Sequence, residues 1–318
     1  MMKKNNFRIV FMGTPEFGAE ILEELLKNKY NVVGVFSQPD KPRGRGKKLQ
    51  PTPVKHIAEK YDIPVYQPKS VSKGEGFQIL SELNPNLIIT AAFGKILRKN
   101  VLELPEKGCW NVHASLLPKY RGAAPIQRAI ENGERESGIT VFKMVEALDA
   151  GDMAIQRKVA IDINDNFETV YNKLLSVAKI TVIEFLERFD ELKLTPQNDQ
   201  EACYAEKLTK GDLIIDFNKS AFEVHNKIRA YDPYPGAKAR YEGEEVKLFS
   251  SVWFDELSFE NGNEAPGSII KKKETGILIK CKQGAIKIKE IQFPGRKRIC
   301  VIDAINGNKL KIPGHFNS

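Results

Sequence analysis

The chain has 318 residues, of which 42% are hydrophobic and 28% are charged, and its formal net charge is +8. This is the composition of an ordinary globular protein, and the length favours two domains over one. It excludes a disordered chain, a collagen-like chain and a bundle of membrane-spanning helices, because the longest apolar run, residues 87–93, is far too short to cross a bilayer.

The cysteines and the N-terminus indicate the cellular compartment. The four cysteines lie far apart, at positions 109, 203, 281 and 300, without a CxxC pair and without a histidine at zinc-ligand spacing. Lys3 and Lys4 precede an apolar run of only five residues, which is too short for a secretory signal. We therefore expect a cytoplasmic protein with no disulfide framework and no structural zinc.

The positive charge is concentrated at the C-terminal end. Residues 267–318 contain twelve Lys or Arg and three Asp or Glu, so they carry nine net positive charges, and the other 266 residues carry one net negative charge. Clustered Lys and Arg release counterions from phosphates, so one interpretation is a module that faces a polyanion. The other interpretation is a solvated surface, and the composition leaves both open.

The first 160 residues alternate short apolar runs with amphipathic stretches. Residues 15–27 place hydrophobic side chains on one face of a helix, with Thr14 as the N-cap and Pro15 at the first helical position. This alternation predicts a parallel α/β sheet, whose ligands bind beyond the carboxyl ends of the strands. The predicted buried strands are residues 7–12, 32–36, 87–91 and 110–113.

A second architecture is predicted after a long helix. Residues 165–189 have the pattern of a packing helix, and the polar, proline-containing stretch 193–206 is typical of a linker. A helix at 220–231 is followed by short β-branched runs, which are typical of a small all-β barrel. These runs are residues 245–254, 268–272, 276–282 and 285–293.

Two glycine-containing segments follow the first two predicted strands. FMGTPEFG at 11–18 lacks the GxGxxG pattern, so it is weak evidence for a dinucleotide site. QPDKPRGRGKKLQPTPVK at 38–55 is predicted to be an irregular loop because of its Pro and Gly content. Five of the eight residues 41–48 are basic and none is acidic, which suits either solvent or contact with phosphates.

NVHASLLPKYRGAAP at 111–125 is the strongest candidate for a site of chemistry. Asn111 and His113 stand two apart at the end of a predicted strand, so their side chains project from the same face. An amide and an imidazolium N–H are the donors that stabilise a developing oxyanion. The alternative is a histidine whose hydrogen bonds are satisfied in the core. No Ser or Cys elbow is near, which argues against a covalent triad.

A carboxylate is then needed to orient His113 and to handle its proton. ALDAGDM at 147–153 offers Asp149 and Asp152 in a glycine-containing loop. Either residue could instead be an exposed turn acid, and the spacing alone does not choose between them.

Together these segments resemble the methionyl-tRNA formyltransferases, a family within the folate-dependent formyltransferase superfamily. FMGTPEFG, QPDKPRGRGKKL, NVHASLLPKYRGAAP and ALDAGDM carry the resemblance, and YAEKLTKGD at 204–212 and IRAYDPYPGA at 228–237 extend it over nearly the full length. The superfamily shares N-x-H and an aspartate 36 residues after the histidine. The GRGKK loop and the C-terminal domain narrow the resemblance to the tRNA enzymes.

The resemblance implies a Rossmann-like catalytic domain over residues 1–189, a linker over 190–206 and an OB-like, tRNA-binding barrel over 207–318. It implies transfer of a formyl group from 10-formyltetrahydrofolate, as co-substrate, to the α-amino group of methionyl-initiator tRNA, giving formylmethionyl-tRNA for translation initiation. It implies no metal. We expect a monomer that does not contact a membrane.

By position, the resemblance assigns three sets of residues. The catalytic residues are Asn111, His113 and Asp149. The folate-binding residues are Ser115, Leu116, Leu117 and Pro118, together with Phe93, Gly94, Lys95, Ile96 and Leu97. The tRNA-binding residues are Lys41, Arg43, Arg45, Lys47 and Lys48. Three positions depart from the family pattern: Ala114 replaces a usual Gly, Arg43 a small residue and Phe217 a common Trp.

Two other functions remain open at this point. One is a formyltransferase for a different amine, such as glycinamide ribonucleotide or an amino-sugar nucleotide; those relatives share the three catalytic residues but lack the combination of GRGKK loop and basic barrel. The other is a non-catalytic RNA-binding protein on the same scaffold, which a turnover assay would distinguish.

Overall fold

The computed structural model describes residues 6–43, 48–255 and 264–318, and the chain forms two compact units. The first unit runs to Pro125 and also includes Glu136–Ala160 and Asn172–Ala205. The second unit combines Ile126–Arg135 and Ile161–Tyr171 with the chain from Glu206 onward. Neither unit is one continuous stretch, and the boundaries 1–189, 190–206 and 207–318 stay a prediction.

Up to Ala205, the described residues alternate strands and helices. The strands are β1 (Ile9–Gly13), β2 (Val32–Phe36), β3 (Lys41–Arg43), β4 (Lys48–Gln50), β5 (Val65–Tyr66), β6 (Leu87–Ala91), β7 (Cys109–His113), β8 (Arg121–Gly122), β9 (Glu136–Lys143), β10 (Met153–Ala160) and β11 (Tyr204–Ala205). The helices are α1 (Glu16–Lys27), α2 (Pro53–Lys60), α3 (Gly74–Glu82), α4 (Lys99–Leu102), α5 (Pro125–Glu131) and α6 (Phe167–Glu187).

The main sheet of the first unit has the strand order β10-β9-β7-β6-β1-β2-β5. Strands β7, β6, β1, β2 and β5 are parallel, whereas β9 is antiparallel to β7 and β10 is antiparallel to β9. Every residue of β1 and β6 is buried, as expected of central strands in a parallel sheet covered on both faces. The carboxyl ends of β2, β6 and β7 therefore meet at one edge, where ligands of such sheets bind.

The four predicted strands are present, but the predicted start of α1 is wrong. The helix begins at Glu16 with Pro15 in the N-cap position, and no side chain caps it. The Thr14 hydroxyl instead donates to the carbonyl oxygen of Phe93 (3.2 Å) and accepts from the backbone N–H of Gln38 (3.3 Å). These partners follow β6 and β2, so tertiary contacts divert the hydroxyl from its local role.

The prediction of an irregular loop over residues 38–55 is also wrong in part. Strand β3 pairs antiparallel with β4, and α2 begins at Pro53 with Thr52 as its N-cap, whose hydroxyl accepts from the N–H of Lys55 at 3.2 Å. In a two-stranded ribbon each strand has one edge that faces no other strand. Pro42, which has no backbone N–H, can therefore occupy β3 without leaving a carbonyl of the partner strand unpaired.

The second unit contains a curled antiparallel sheet. From Glu206 its elements are α7 (Ala221–Ala230), β12 (Ala237–Tyr241), β13 (Glu244–Phe254), β14 (Ile269–Lys273), β15 (Gly276–Lys280), β16 (Ala285–Gln292), β17 (Ile299–Cys300), α8 (Val301–Asn306) and β18 (Phe316–Asn317). The strand order is β14-β15-β16-β13-β12-β18, with β17 also paired to β16.

The two outer strands of this sheet meet. The N–H of Phe316 donates to the carbonyl of Gly267, and the N–H of Ile269 donates to that of Gly314, both at 2.8 Å. These bonds join the start of β14 to the start of β18, so the sheet curls back on itself and its outermost edges are partly removed. The predicted barrel-like module is confirmed.

Polar contacts explain why two early segments belong to this unit. Glu131 accepts a hydrogen bond from the Tyr231 hydroxyl at 2.8 Å and forms an ion pair with Lys227. The buried Arg229 of α7 donates to the carbonyls of Asp162 (3.2 Å) and Asp165 (2.9 Å).

In the part of the chain that the structure describes, no helix is both long and apolar enough to span a membrane.

Helices α1 and α2 are tied together by one carboxylate. Glu23 of α1 accepts from Lys27 of the same helix and from Lys60 of α2, both at 2.8 Å, and its side chain is only 12% exposed. The hydrogen bonds from Lys27 and Lys60 lower the pKa of Glu23 from 4.5 to about 2.

We expect Glu23→Gln to destabilise the protein by about 1 kcal/mol at pH 7, because two partly exposed ion pairs are lost. A lowered pKa stabilises the folded state above the ordinary value of 4.5, and this contribution disappears as the pH falls towards 2. Urea unfolding at pH 7, 5, 4 and 3 should therefore show a constant difference at the two higher values and a smaller one at pH 3. Glu59→Gln, an exposed acid of α2, is the control; a Glu23→Gln difference that grows at low pH would contradict the assignment.

Candidate active site

Asn111 and His113 lie on β7, next to the central part of the sheet. Asn111 pairs with Thr90 of β6 and with Phe142 of β9. Its Oδ1 accepts a hydrogen bond from the Thr90 hydroxyl at 2.8 Å, so the donor end of the amide is directed away from Thr90. Asn111 is half-buried, and its N–H groups are thus oriented by a threonine that the sequence analysis did not single out.

His113 is held by the turn that follows it in the chain. Its side chain is 6% exposed, and its Nε2 lies 2.9 Å from the carbonyl oxygen of Tyr120. A carbonyl can only accept a hydrogen bond, so Nε2 carries a proton and Nδ1 is the nitrogen that gains or loses one. Tyr120 has a φ of 62°, a left-handed conformation, and its N–H donates to Cys203 Sγ at 3.2 Å.

Asp149 faces the other nitrogen of this ring. Its Oδ2 lies 3.8 Å from His113 Nδ1 and accepts a hydrogen bond from the N–H of Gly122 at 2.8 Å. Asp152, the other aspartate of ALDAGDM, directly precedes β10 with its side chain exposed, and its carbonyl accepts from the N–H of Lys143 at 2.9 Å. The structure brings Asp149, and not Asp152, next to His113.

The backbone of the Asp149 loop is closely fitted. Asp149 itself has a φ of 49°, which is in the left-handed region that costs a non-glycine residue energy. At Gly151 a Cβ atom would lie 1.7 Å from the carbonyl oxygen of Lys143, so only glycine allows this approach. The loop is thus shaped by contacts with its surroundings, and a sequence pattern alone does not reveal them.

The SLLP segment forms a partly buried turn that begins two residues after His113. The Ser115 hydroxyl donates to the Lys119 carbonyl at 2.7 Å, and the Ser115 carbonyl accepts from the Thr140 hydroxyl at 2.7 Å. Leu117 is also buried, and its carbonyl accepts from Gln156 Nε2 at 2.7 Å. Leu116 and Pro118 are half-buried, so these two side chains provide the surface that a ligand could contact.

Residues 93–97 alternate between anchoring and exposed positions. Phe93 and Leu97 are buried in the core cluster of the first unit, whereas Ile96 is 79% exposed. Lys95 Nζ donates to the carbonyls of Pro68 (2.7 Å) and Lys69 (3.1 Å), and burial lowers the pKa of its ammonium group. Gly94 is exposed and has a φ of 72°.

The basic segment extends from the carboxyl end of β2. The side chain of Lys41 in β3 is exposed, and the backbones of Arg43 and Lys48 pair across the ribbon. Arg45 and Lys47 lie outside the described residues. The base of the ribbon is anchored by Asp40, which accepts from Lys55 Nζ and from Gln67 Nε2, both at 2.7 Å.

The site also connects two loops of the same sheet edge. Gln38, which precedes the ribbon, donates through Nε2 to the carbonyl of Phe93 at 3.0 Å, so the chain after β2 is joined to the chain after β6.

Among the described residues, no group of three or more His, Cys, Asp or Glu side chains could hold a metal ion.

The chain resembles known proteins along nearly its whole length. Residues 7–186 match the formyl transferase family, and residues 207–309 match the formyl transferase C-terminal domain. The chain is 54% identical over 306 residues to the methionyl-tRNA formyltransferase of Kosmotoga olearia, which covers 96% of this chain and 97% of that protein. It is 48% identical over 317 residues to the methionyl-tRNA formyltransferase of Thermotoga sp. (strain RQ2), with coverages of 98% and 100%.

Among solved structures, the chain is similar to the N-formyltransferase of Helicobacter canadensis, crystallised with folinic acid and dTDP-3-aminofucose. The TM-score is 0.67 at 22% identity, over 88% of this chain and 98% of that one. At this identity the likeness concerns the fold alone. With the two family matches, it confirms the predicted fold class, a Rossmann-like α/β domain followed by a small β-barrel domain.

We expect the neutral form of His113 to carry its proton on Nε2, because the Tyr120 carbonyl can only accept a hydrogen bond. Nitrogen NMR of the protein labelled in its histidines distinguishes the two tautomers, and the spectrum of His113→Gln identifies the signal. A neutral His113 ring protonated on Nδ1 would contradict the geometry.

Proposed function

The chain belongs to the formyl transferase family, and we propose that it transfers the formyl group of 10-formyltetrahydrofolate to the α-amino group of methionine on initiator tRNA. One observation carries the proposal: Asp149 Oδ2 lies 3.8 Å from Nδ1 of His113, and His113 shares strand β7 with Asn111. It occurs in a chain 54% identical to a methionyl-tRNA formyltransferase. Formyl transfer to charged initiator tRNA tests it, with charged elongator methionine tRNA as the control.

Asn111 and His113 are the proposed donors to the reacting carbonyl. 10-Formyltetrahydrofolate supplies the electrophilic formyl carbon, which the neutral amine of methionine attacks. The formyl oxygen gains negative charge as the new C–N bond forms, and fixed N–H donors stabilise this charge. The Asn111 amide is oriented by Thr90, and the protonated His113 ring has Nδ1–H as the donor that Tyr120 does not occupy.

Asp149 is the proposed partner of the His113 ring during proton transfer. Its carboxylate stabilises the imidazolium and assists removal of the proton that the attacking amine loses. The bond between the formyl carbon and N10 of the folate then breaks, and tetrahydrofolate leaves with a proton on N10 in place of the formyl group. The distance of 3.8 Å is longer than a hydrogen bond, so an oxygen or nitrogen of the reacting groups can lie beside the two side chains within hydrogen-bond distance of both. The Gly122 N–H keeps the carboxylate oriented when this occurs.

The residues beyond the strand ends fit the faces of the flat ring system of a folate. The exposed Ile96 and the half-buried Leu116 and Pro118 offer apolar surface. The buried Phe93 and Leu97 anchor the two ends of the backbone segment that carries Ile96. Apolar walls with a few directed polar groups are typical of cofactor sites. We propose that this surface holds the folate close to His113.

The basic ribbon and the basic C-terminal segment favour tRNA over a small amine. A short ribbon rich in Lys and Arg has little use for an amine that fits inside a pocket, but it can guide the end of a polyanion to the sheet edge. Residues 267–318 add nine net positive charges from the second unit. We propose that both regions contact tRNA, in a protein that acts as a monomer in the cytoplasm.

We expect His113→Ala to lower kcat for formyl transfer about 10²- to 10³-fold, because one oxyanion donor is lost. Asp149→Asn should lower kcat to a similar degree, since the amide cannot balance the imidazolium. Asp152→Asn, in the same loop but exposed, is the matched control and should retain near-normal kcat. Equal losses at Asp149 and Asp152 would contradict the assignment.

We expect neutralisation of Arg45, Lys47 and Lys48 to Ala to raise KM for tRNA and leave KM for the folate unchanged. If each makes a phosphate contact, the slope of log affinity against log salt should fall by about 0.7 to 0.9 per residue. The control neutralises three exposed lysines of the same unit, Lys29, Lys143 and Lys158. Normal tRNA kinetics and an unchanged slope in the first variant would exclude the segment from the tRNA site.

A further inference from the structure

Gln197 binds the backbone of the loop that carries Asp149. Its side-chain Nε2 donates to two carbonyl oxygens of that loop, Asp149 (2.8 Å) and Gly151 (2.7 Å). Both hydrogens of one amide group are thus used on one short segment. Gln197 lies in the stretch that the sequence predicts to be a linker, and it is half-buried.

The other end of the Gln197 amide is bound by a buried arginine. Oε1 accepts from Arg121 Nε (3.1 Å) and from Arg121 Nη2 (2.9 Å), and Arg121 is only 3% exposed. Arg121 Nη2 also pairs with Asp199 at 2.7 Å. Because a guanidinium can only donate and carbonyls can only accept, the amide has one orientation that satisfies all these partners.

Strand β8 consists of Arg121 and Gly122, and it also holds the Asp149 carboxylate. The N–H of Gly122 donates to Asp149 Oδ2, while its neighbour Arg121 acts through Gln197 on the Asp149 backbone. Strand β8 is itself fixed by parallel pairing with β11. Asp149 is therefore held at its side chain and at its main chain, although its left-handed φ of 49° is unfavourable for the isolated loop.

We propose that Gln197, oriented by Arg121, is a positioning residue that holds the Asp149 carboxylate next to His113 during formyl transfer. It contacts no reacting atom and acts only through the Asp149 loop. The inference deepens the proposed function and rests on the roles proposed there for His113 and Asp149. It predicts an effect on the chemical step and none on the binding of either substrate.

Gln197→Leu removes all four hydrogen bonds at similar size and should lower kcat by about 10- to 100-fold, since a shift of about 1 Å in a reacting group has effects of this order. KM for tRNA and for the folate should stay within about twofold of the wild-type values. Gln197→Glu keeps an acceptor for Arg121 but sets an oxygen against the two loop carbonyls, so it should lower kcat as well. Gln200→Leu, exposed in the same segment, is the control and should leave kcat unchanged.

A double-mutant cycle with Asp149→Asn separates positioning from general loss of stability. If Gln197 acts through the Asp149 carboxylate, Gln197→Leu should have little further effect on single-turnover rates once that carboxylate is gone. Equal reductions in both backgrounds, or a raised KM with normal kcat, would overturn the proposal.

Hydrogen exchange provides a readout that does not depend on activity. Amides of residues 147–152 should exchange faster in Gln197→Leu than in the wild type and in Gln200→Leu, while the rest of the first unit is unchanged. Unchanged exchange in that loop would refute the Gln197 contact. If the loop loosens as expected but the wild-type protein does not formylate methionyl-tRNA, the proposed function fails and the positioning of Asp149 does not.

Discussion

The hydrogen bond between His113 Nε2 and the carbonyl of Tyr120 determines how the candidate site is arranged. It occupies one ring nitrogen with a partner that only accepts, so any exchange of protons takes place at Nδ1. Nδ1 is the atom that faces Asp149. The left-handed backbone of Tyr120, held by the bond from its N–H to Cys203, is what directs the carbonyl at the ring.

The parallel sheet brings the other parts of the site to this ring. Because β2, β6 and β7 run in the same direction, the basic ribbon, the 93–97 segment and the SLLP turn all begin at one edge. Gln38 and Thr14 bond to the carbonyl of Phe93 and fix the first two of these regions against each other. Thr90 orients the Asn111 amide from the neighbouring strand.

In the proposed function, the first unit supplies the geometry of the reacting groups and the second unit supplies positive charge. In the first unit, close backbone approaches such as that of Gly151 to Lys143 determine the geometry of the reacting groups. In the second, a sheet whose outer strands meet at Gly267 and Phe316 supports the most basic part of the sequence. Phosphate contacts tolerate a less exact geometry than proton transfer, because charge attraction is long-ranged and non-directional.

The sequence by itself determined the fold class, the buried strands and the position of Asn111 and His113 on the same face of one strand. Apolar runs and a two-residue spacing are local properties of the chain. Spacing left Asp149 and Asp152 equal, the resemblance to the formyltransferases assigned Asp149, and the sequence pattern placed Thr14 wrongly as a helix cap. Only the tertiary structure distinguished the two aspartates by distance to His113, and only it found Thr90, Tyr120 and Gln197. These contacts join residues that are distant in sequence, and long-range hydrogen bonds leave no periodic pattern from which they could be predicted.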